Sequence, residues 1–141
     1  MITCSGAIIF SKNTNRILLL QKQHGKHAGK WVLVGGTANA GETPWQSLVR
    51  EIKEEIGECP DIRKTLPVEK FVSSDGAFQF TTFFCVVDEE FIPKLSDEHL
   101  AWGWFSLSAL PKPVHRSLDI SLNNSIMKEK INSILTVVNI I

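Results

Sequence analysis

The sequence predicts an α/β fold in which a mixed β-sheet carries helices on both faces, an α/β/α sandwich. Three observations point there. Short apolar runs with β-branched, leucine or aromatic character fill residues 4–34 and 66–107, one amphipathic helix pattern interrupts them, and another closes the chain. The 141 residues, 43% hydrophobic and 21% charged, suit one domain over residues 1–141 with enough apolar material for a core. Fold class by itself assigns no activity.

The strands come first. "CSGAIIF" and "RILLLQK" flank the polar connector "SKNTN" and read as a hairpin. "QHGKHAGK" reads as a basic loop, "WVLV" as a third strand, and "GGTANAGE" as a loop whose glycines admit backbone conformations closed to other residues. Further on, "LPVEKFVSS" and "AFQFTTFFCVV" enclose Asp75-Gly76, a dipeptide that favours tight primed turns. "DEEFIPKLSDEH" is polar and broken by Pro93, so it reads as a loop before the aromatic strand "AWGWFSL". "LPKPVH" is a second irregular break. From Asp119, Leu122, Ile126, Ile131, Ile134, Leu135 and Val138 recur at three- to five-residue intervals, which predicts one terminal amphipathic helix.

The middle helix is the informative one. Thr43 suits its N-cap, Pro44 its first turn, Gln46 completes a T-x-x-Q capping box, and Gly57 supplies the stop. A 100° step places Trp45, Leu48, Val49, Ile52 and Ile56 on one arc, predicted as the buried one, with Glu51, Glu54 and Glu55 on the arc beside it. Arg50 and Lys53 temper these acids, so a solvated charged face is one reading. The glycine loop in front favours another, because clustered carboxylates either raise one another's pKa or recruit a hard cation, and magnesium commonly completes an oxygen shell with substrate phosphate.

Charge and targeting exclude several classes of function. Fifteen basic and fifteen acidic side chains give zero formal net charge, which removes bulk electrostatics as a reason to bind nucleic acid or an anionic membrane. Any phosphate must therefore be held locally. Cys4, Cys59 and Cys85 are odd in number and form no C-x-x-C pair, so reduced thiols are expected rather than a disulfide framework or a zinc ribbon. The start lacks a basic n-region and no stretch approaches the roughly 18 apolar residues of a membrane span, which makes the cytoplasm the expected compartment.

Gly36, then five residues, Glu42, then seven residues, and Arg50-Glu51-Ile52-Lys53-Glu54-Glu55-Ile56-Gly57 resembles the box of the Nudix hydrolases, G-x5-E-x7-R-E-U-x-E-E-x-G-U with U apolar. Here the box spans residues 36–58, and only Glu58 departs, at an apolar position. Val34 also stands where the family commonly has proline, and Ala101 where a carboxylate is often found. "RILLLQK", "GKWVLVGG" and "WGWFSLSAL" look like the family's flanking strands, so most of residues 4 to 111 is covered.

The resemblance implies a Nudix-type mixed sheet sandwich and a pyrophosphohydrolase dependent on Mg2+ or Mn2+. It would cleave a nucleoside diphosphate linked to another moiety, of ADP-ribose, ADP-sugar or (d)NTP type. Glu51, Glu54 and Glu55 would bind one to three ions with the Gly36 carbonyl as a further ligand, Arg50 would orient them, and Glu51 would act as base with Glu98 as rival. Glu42 would brace the loop or bind a metal, or serve as a simple helix N-terminal charge. Gly35 and Gly36 would shape the substrate loop. Lys30, with His24, Lys26 and His27, would reach substrate phosphates or sit in a solvated basic loop. Phe80, Phe78 and Trp102 would stack on a base or serve as ordinary strand core, and His99 would assist proton transfer or form a surface pair with Glu98. The expected partner is a nucleotide or nucleotide sugar, with no membrane, nucleic acid not expected, and a homodimer left open. A catalytically weak domain that senses a nucleotide is the alternative function.

Overall fold

The computed structural model describes residues 1–58, 62 and 64–140; Cys59 lies outside them. A seven-stranded sheet is built from β1 (Ile2–Ser11), β2 (Arg16–Lys22), β3 (Trp31–Val32), β4 (Val34–Thr37), β5 (Lys64–Val72), β6 (Phe78–Val87) and β7 (His99–Ser106). The central path runs β3-β2-β1-β6-β5, with β4 added to β1 and β7 to β2. β1 and β6 are parallel over Ile2↔Phe78 to Ser11↔Val87, and the other pairings are antiparallel, so the sheet is mixed. Three helices complete the chain: α1 (Pro44–Ile56), α2 (Arg116–Ser121) and α3 (Ser125–Ile140).

Alternation along the central strands divides the core in two, because successive strand side chains point to opposite faces. On one face Ala7, Ile9, Leu18, Leu20, Phe83 and Cys85 pack with Leu48, Ile52 and Ile56 of α1. On the other, Ile8, Phe10, Ile17, Leu19, Phe84 and Val86 pack with Leu118 and Leu122 and with Ile131 and Val138 of α3. Helices thus cover both faces, as the sequence predicts.

Helix α1 starts through its capping box. The Gln46 N–H donates to Thr43 Oγ1 at 3.2 Å, and the Thr43 N–H donates to Gln46 Oε1 at 3.0 Å. It ends at Gly57, whose φ of +74° is a conformation that side chains with a Cβ disfavour.

Four local expectations change. "WVLV" is two strands, with Leu33 between them, and β4 runs on through Gly35 and Gly36 because β1 supplies an antiparallel partner. The β5–β6 hairpin closes through Ser74–Ala77, where Asp75 accepts hydrogen bonds from Ser73 Oγ and the Ala77 N–H, instead of through a two-residue primed turn. The terminal helix is two helices, because Asn124 donates through Nδ2 to the Ile120 carbonyl and accepts through Oδ1 from the Met127 N–H, stopping one and starting the next. The buried arc of α1 also lies one step round, on Leu48, Ile52, Ile56, Ser47 and Glu55, leaving Trp45 37% and Val49 48% exposed. Trp45 instead lies against Phe83 with ring centroids 5.3 Å apart.

This arc decides where truncation hurts. Leu48→Ala empties a fully buried site and should cost about 3–4 kcal/mol, whereas Trp45→Ala should cost about 1–2 kcal/mol, below the usual range for a buried tryptophan. Urea unfolding of the two variants checks the order; a larger loss at Trp45 would reverse this assignment of the face.

Candidate active site

The backbone of β4 meets the acidic side of α1 at two glycines. The Gly35 N–H donates to Glu55 Oε1 at 2.8 Å. A Cβ on Gly35 would fall 2.1 Å from the Ser5 carbonyl oxygen, and one on Gly36 would fall 2.6 Å from Glu51 Cδ. Any side chain here would push β4 off β1 or displace the Glu51 carboxylate, which is the steric reason for the paired glycines.

Arg50 sits at the centre of the acids. Its Nε and Nη2 donate to the two oxygens of Glu42 at 2.9 and 3.0 Å, a bidentate pair. Its Nη1 donates to Glu51 Oε1 at 3.0 Å and to Glu54 Oε2 at 3.2 Å, while Nη2 also reaches the Thr37 carbonyl at 3.1 Å. The guanidinium therefore holds its proton more tightly than usual, with Glu42 as the largest cause. Hydrogen bonding from Arg50, then from the Asn39 N–H, holds the Glu42 carboxyl below the ordinary range.

Glu55 is the anomalous acid. It is 5% exposed, and burial pushes its carboxyl up to about 8 although the Gly35 N–H opposes the shift. Burial also raises Glu51, against the pull of Arg50. His99, at the start of β7, places Nε2 3.4 Å from Glu55 Oε2; its own burial holds it down at about 4, and Nδ1 has no partner among the described residues. Glu98 reaches the same place because the Gln23 N–H donates to its carbonyl at 3.0 Å and His24 Nε2 contacts the Asp97 carbonyl at 3.1 Å. One oxygen each of Glu55 and Glu98 and one nitrogen of His99 lie within 4.8 Å of one another. The carboxyl oxygens of Glu55 and Glu98 are donors that fit a hard divalent ion, and the imidazole nitrogen of His99 is a softer donor beside them.

A cleft of about 510 Å³ opens beside these acids. Glu55, His99, Gly35 and Gly36 line one part of it; Phe71, Phe78 and Phe80 form an aromatic part, and Lys22, His115 and Arg116 contribute charge and N–H donors. Gly6 leaves room for the Phe80 ring, whose Cζ would lie 2.8 Å from a Cβ there.

Of the residues singled out from the sequence, Arg50, Glu51, Glu54, Glu55, Glu98, Gly35 and Gly36 come together, and Phe80 lines the adjoining cleft. Two stand off its wall. Lys30 directs its ammonium to His27 Nδ1 at 3.2 Å. Trp102 shares strand parity with Trp104, which packs in the α1-side core, whereas Phe80 shares parity with Phe84 of the other core. Lys22, Phe71, His115 and Arg116 were not candidates. His115 ends the break "LPKPVH" and Arg116 follows it, where no periodic signal marks either, and His99 is legible only as a neighbour of Glu98.

A model of the NUDIX domain matches residues 3–123. The chain belongs to the Nudix family. It is 32% identical over 114 residues to the dihydroneopterin triphosphate diphosphatase of Haemophilus influenzae, covering 70% of each chain. It is 32% identical over 101 residues to an ADP-ribose pyrophosphatase of Methanocaldococcus jannaschii, covering 70% of this chain and 59% of that one. Coverage varies among Nudix relatives: the match spans 25% of a putative nudix hydrolase of Caenorhabditis elegans. Among solved structures, a MutT NUDIX hydrolase from Burkholderia pseudomallei superposes with a TM-score of 0.66 at 26% identity, over 88% of this chain and 97% of that one. RenU of M. smegmatis shares the fold with a TM-score of 0.74 at 20% identity, over 94% of this chain and 86% of that one. This Nudix chain is a hydrolase of the class that acts on phosphorus anhydrides. Among the described residues no helix is long and apolar enough to cross a membrane.

Glu55 gives the ion-free Nudix fold a pH signature. In the folded chain it keeps its proton to about pH 8, whereas an unfolded glutamate loses it near its ordinary value of 4.5. The stability this contributes is complete at low pH and is lost as pH rises through about 8. His99, His27 and His115, all held below 6.5, act in the opposite sense, but only below about that pH. Above pH 6.5 Glu55 therefore acts without them, and stability in a chelator should fall by about 2 kcal/mol by pH 8. Urea unfolding should show this fall in the parent and a flat profile in Glu55→Gln; a flat parent profile would mean an ionised Glu55.

Proposed function

We propose that this chain is a Mg2+- or Mn2+-dependent pyrophosphohydrolase that cleaves a nucleoside diphosphate linked to another moiety, of ADP-ribose, ADP-sugar or (d)NTP type. The products would be a nucleoside monophosphate and a phosphorylated remainder. One observation carries this reading: a complete acidic helix, organised by Arg50 and fitted to a glycine strand, opens onto a cleft with an aromatic part. The named activities of the Haemophilus and Methanocaldococcus relatives support the same reaction type.

Glu51, Glu54 and Glu55 would hold the divalent ion, with the Gly36 carbonyl beside them. When bound, such an ion supplies charge neutralisation at the diphosphate and lowers the pKa of nearby water. The chain's own residues do the rest. Arg50 fixes Glu51 and Glu54 in one orientation while tying both to Glu42 and the Thr37 carbonyl. Glu51 or Glu98 accepts the proton of the attacking water as its oxygen bonds to phosphorus and the bridging P–O bond breaks. The leaving phosphate departs with the bridging electrons. Phe78 and Phe80, with Phe71, offer ring faces to a base.

With Mg2+ and a panel of nucleoside diphosphate derivatives, turnover should release a nucleoside monophosphate, and Glu54→Gln or Glu55→Gln should abolish it. Nucleotide binding with no turnover of any panel member would instead support a sensor. Arg50→Lys should lower kcat roughly 10–100-fold, because an ammonium cannot span Glu42, Glu51 and the Thr37 carbonyl together. Unchanged kcat in that variant would remove Arg50 from the orienting role.

A further inference from the structure

A second concentration of charge shares the cleft, and it is opposite in sign. Lys22, His115 and Arg116 line the wall, and His27 packs edge-on against His115 with ring centroids 4.4 Å apart. Lys30 and Lys26 stand close enough to be felt by His27. Among the described residues neither Lys22, Lys30 nor Arg116 forms an ion pair with a carboxylate. In a chain of zero net charge such a group of uncompensated cations is a local choice of the fold.

Hydrogen bonding fixes how the imidazoles present themselves. The Ser117 N–H donates to His115 Nδ1 at 3.0 Å, so that nitrogen is the acceptor and His115 Nε2 carries the proton. An ammonium has only donors, and Lys30 Nζ lies 3.2 Å from His27 Nδ1, so His27 Nε2 carries the proton too. Both rings therefore offer N–H groups beside a guanidinium and an ammonium. Desolvation first, and then the surrounding cations, hold both imidazoles below their ordinary pKa, which is the response of cationic groups crowded without an anion. Lys22 joins this group to the acidic ridge, since its charge is felt by Glu55 and His99 on one side and by His27 and His115 on the other.

We propose that Lys22, His115 and Arg116, backed by His27 and Lys30, form an anion subsite that takes the terminal phosphate of a nucleoside triphosphate. The substrate assignment rests on the hydrolytic reading above; the anion subsite does not. A guanidinium, an ammonium and imidazole N–H groups give charge-assisted donors to a phosphate with several unshared oxygens, which a neutral sugar hydroxyl uses less well. Among the substrate types open to this site, the triphosphate is therefore favoured over ADP-ribose.

Inorganic pyrophosphate titrated into the full chain in EDTA tests the subsite without the metal ridge. The parent should bind it, Arg116→Ala and Lys22→Met should each weaken binding about 10-fold or more, and Lys128→Ala, an exposed α3 position, should match the parent. Urea midpoints verify that the variants fold. No binding by the parent, or binding indifferent to both substitutions, overturns the subsite. With Mg2+, kcat/KM for a triphosphate should exceed that for ADP-ribose, and Arg116→Ala should reduce this ratio about 10-fold; a parent preference for ADP-ribose overturns the substrate assignment. Pyrophosphate binding that is lost in the variants, with neither nucleotide turned over, would support the subsite and sink the hydrolytic reading alone.

Discussion

The closeness of β4 to α1 is the constraint on which the site depends. Gly36 lets the backbone approach the helix, since a Cβ there would strike Glu51; Gly35 lets β4 lie against β1, and its N–H meets the buried Glu55 carboxyl. One amide donor cannot replace the hydration an ionised carboxylate loses, so the ion-free fold keeps that proton at neutral pH. On the proposed function, the geometry that makes Glu55 a poor anion by itself would make it a ligand. A dication would supply the missing opposite charge, and the buried position holds the side chain away from water.

Arg50 solves a related problem on the more exposed acids. Isolated surface ion pairs contribute little, because two flexible side chains must be ordered in a high dielectric. Here one planar guanidinium serves Glu42, Glu51, Glu54 and the Thr37 carbonyl together, so a single ordering event fixes several partners. The bidentate contact with Glu42 ties the loop before α1 to the ridge itself. Loop shape and carboxylate orientation thus become one structural variable.

What could be read from the sequence follows from how local each signal is. The cap of α1, its glycine stop and the spacing of Arg50 and the glutamates depend on neighbours within a few residues, and all appear as expected. The buried arc of α1 depends on which strand lies beneath it; helical periodicity alone placed Trp45 inward, whereas the sheet selects Ser47 and Glu55. Periodicity likewise could not divide α2 from α3, because the break is made by the Asn124 side chain bonding to backbone on both sides. Trp102 and Phe80 are both aromatic strand residues, but parity relative to the two cores separates them. His115 and Arg116 reach the cleft through a short helix folded over the opposite face of the sheet, a long-range relation that leaves no periodic trace.

Zero net charge conceals a divided surface. Acids gather where α1 meets β4, and N–H donors and cations gather where the basic loop meets α2, with the same cleft between them. A neutral ligand gains little from either group. A ligand with charge spread along its length can place anionic oxygens against both, through a cation at the ridge and directly at the donors. Phe78, Phe80 and Leu33 supply apolar wall between the two groups. On the proposed function, recognition and chemistry would draw on one field, and moving charge from either end of the cleft would alter what the other end holds.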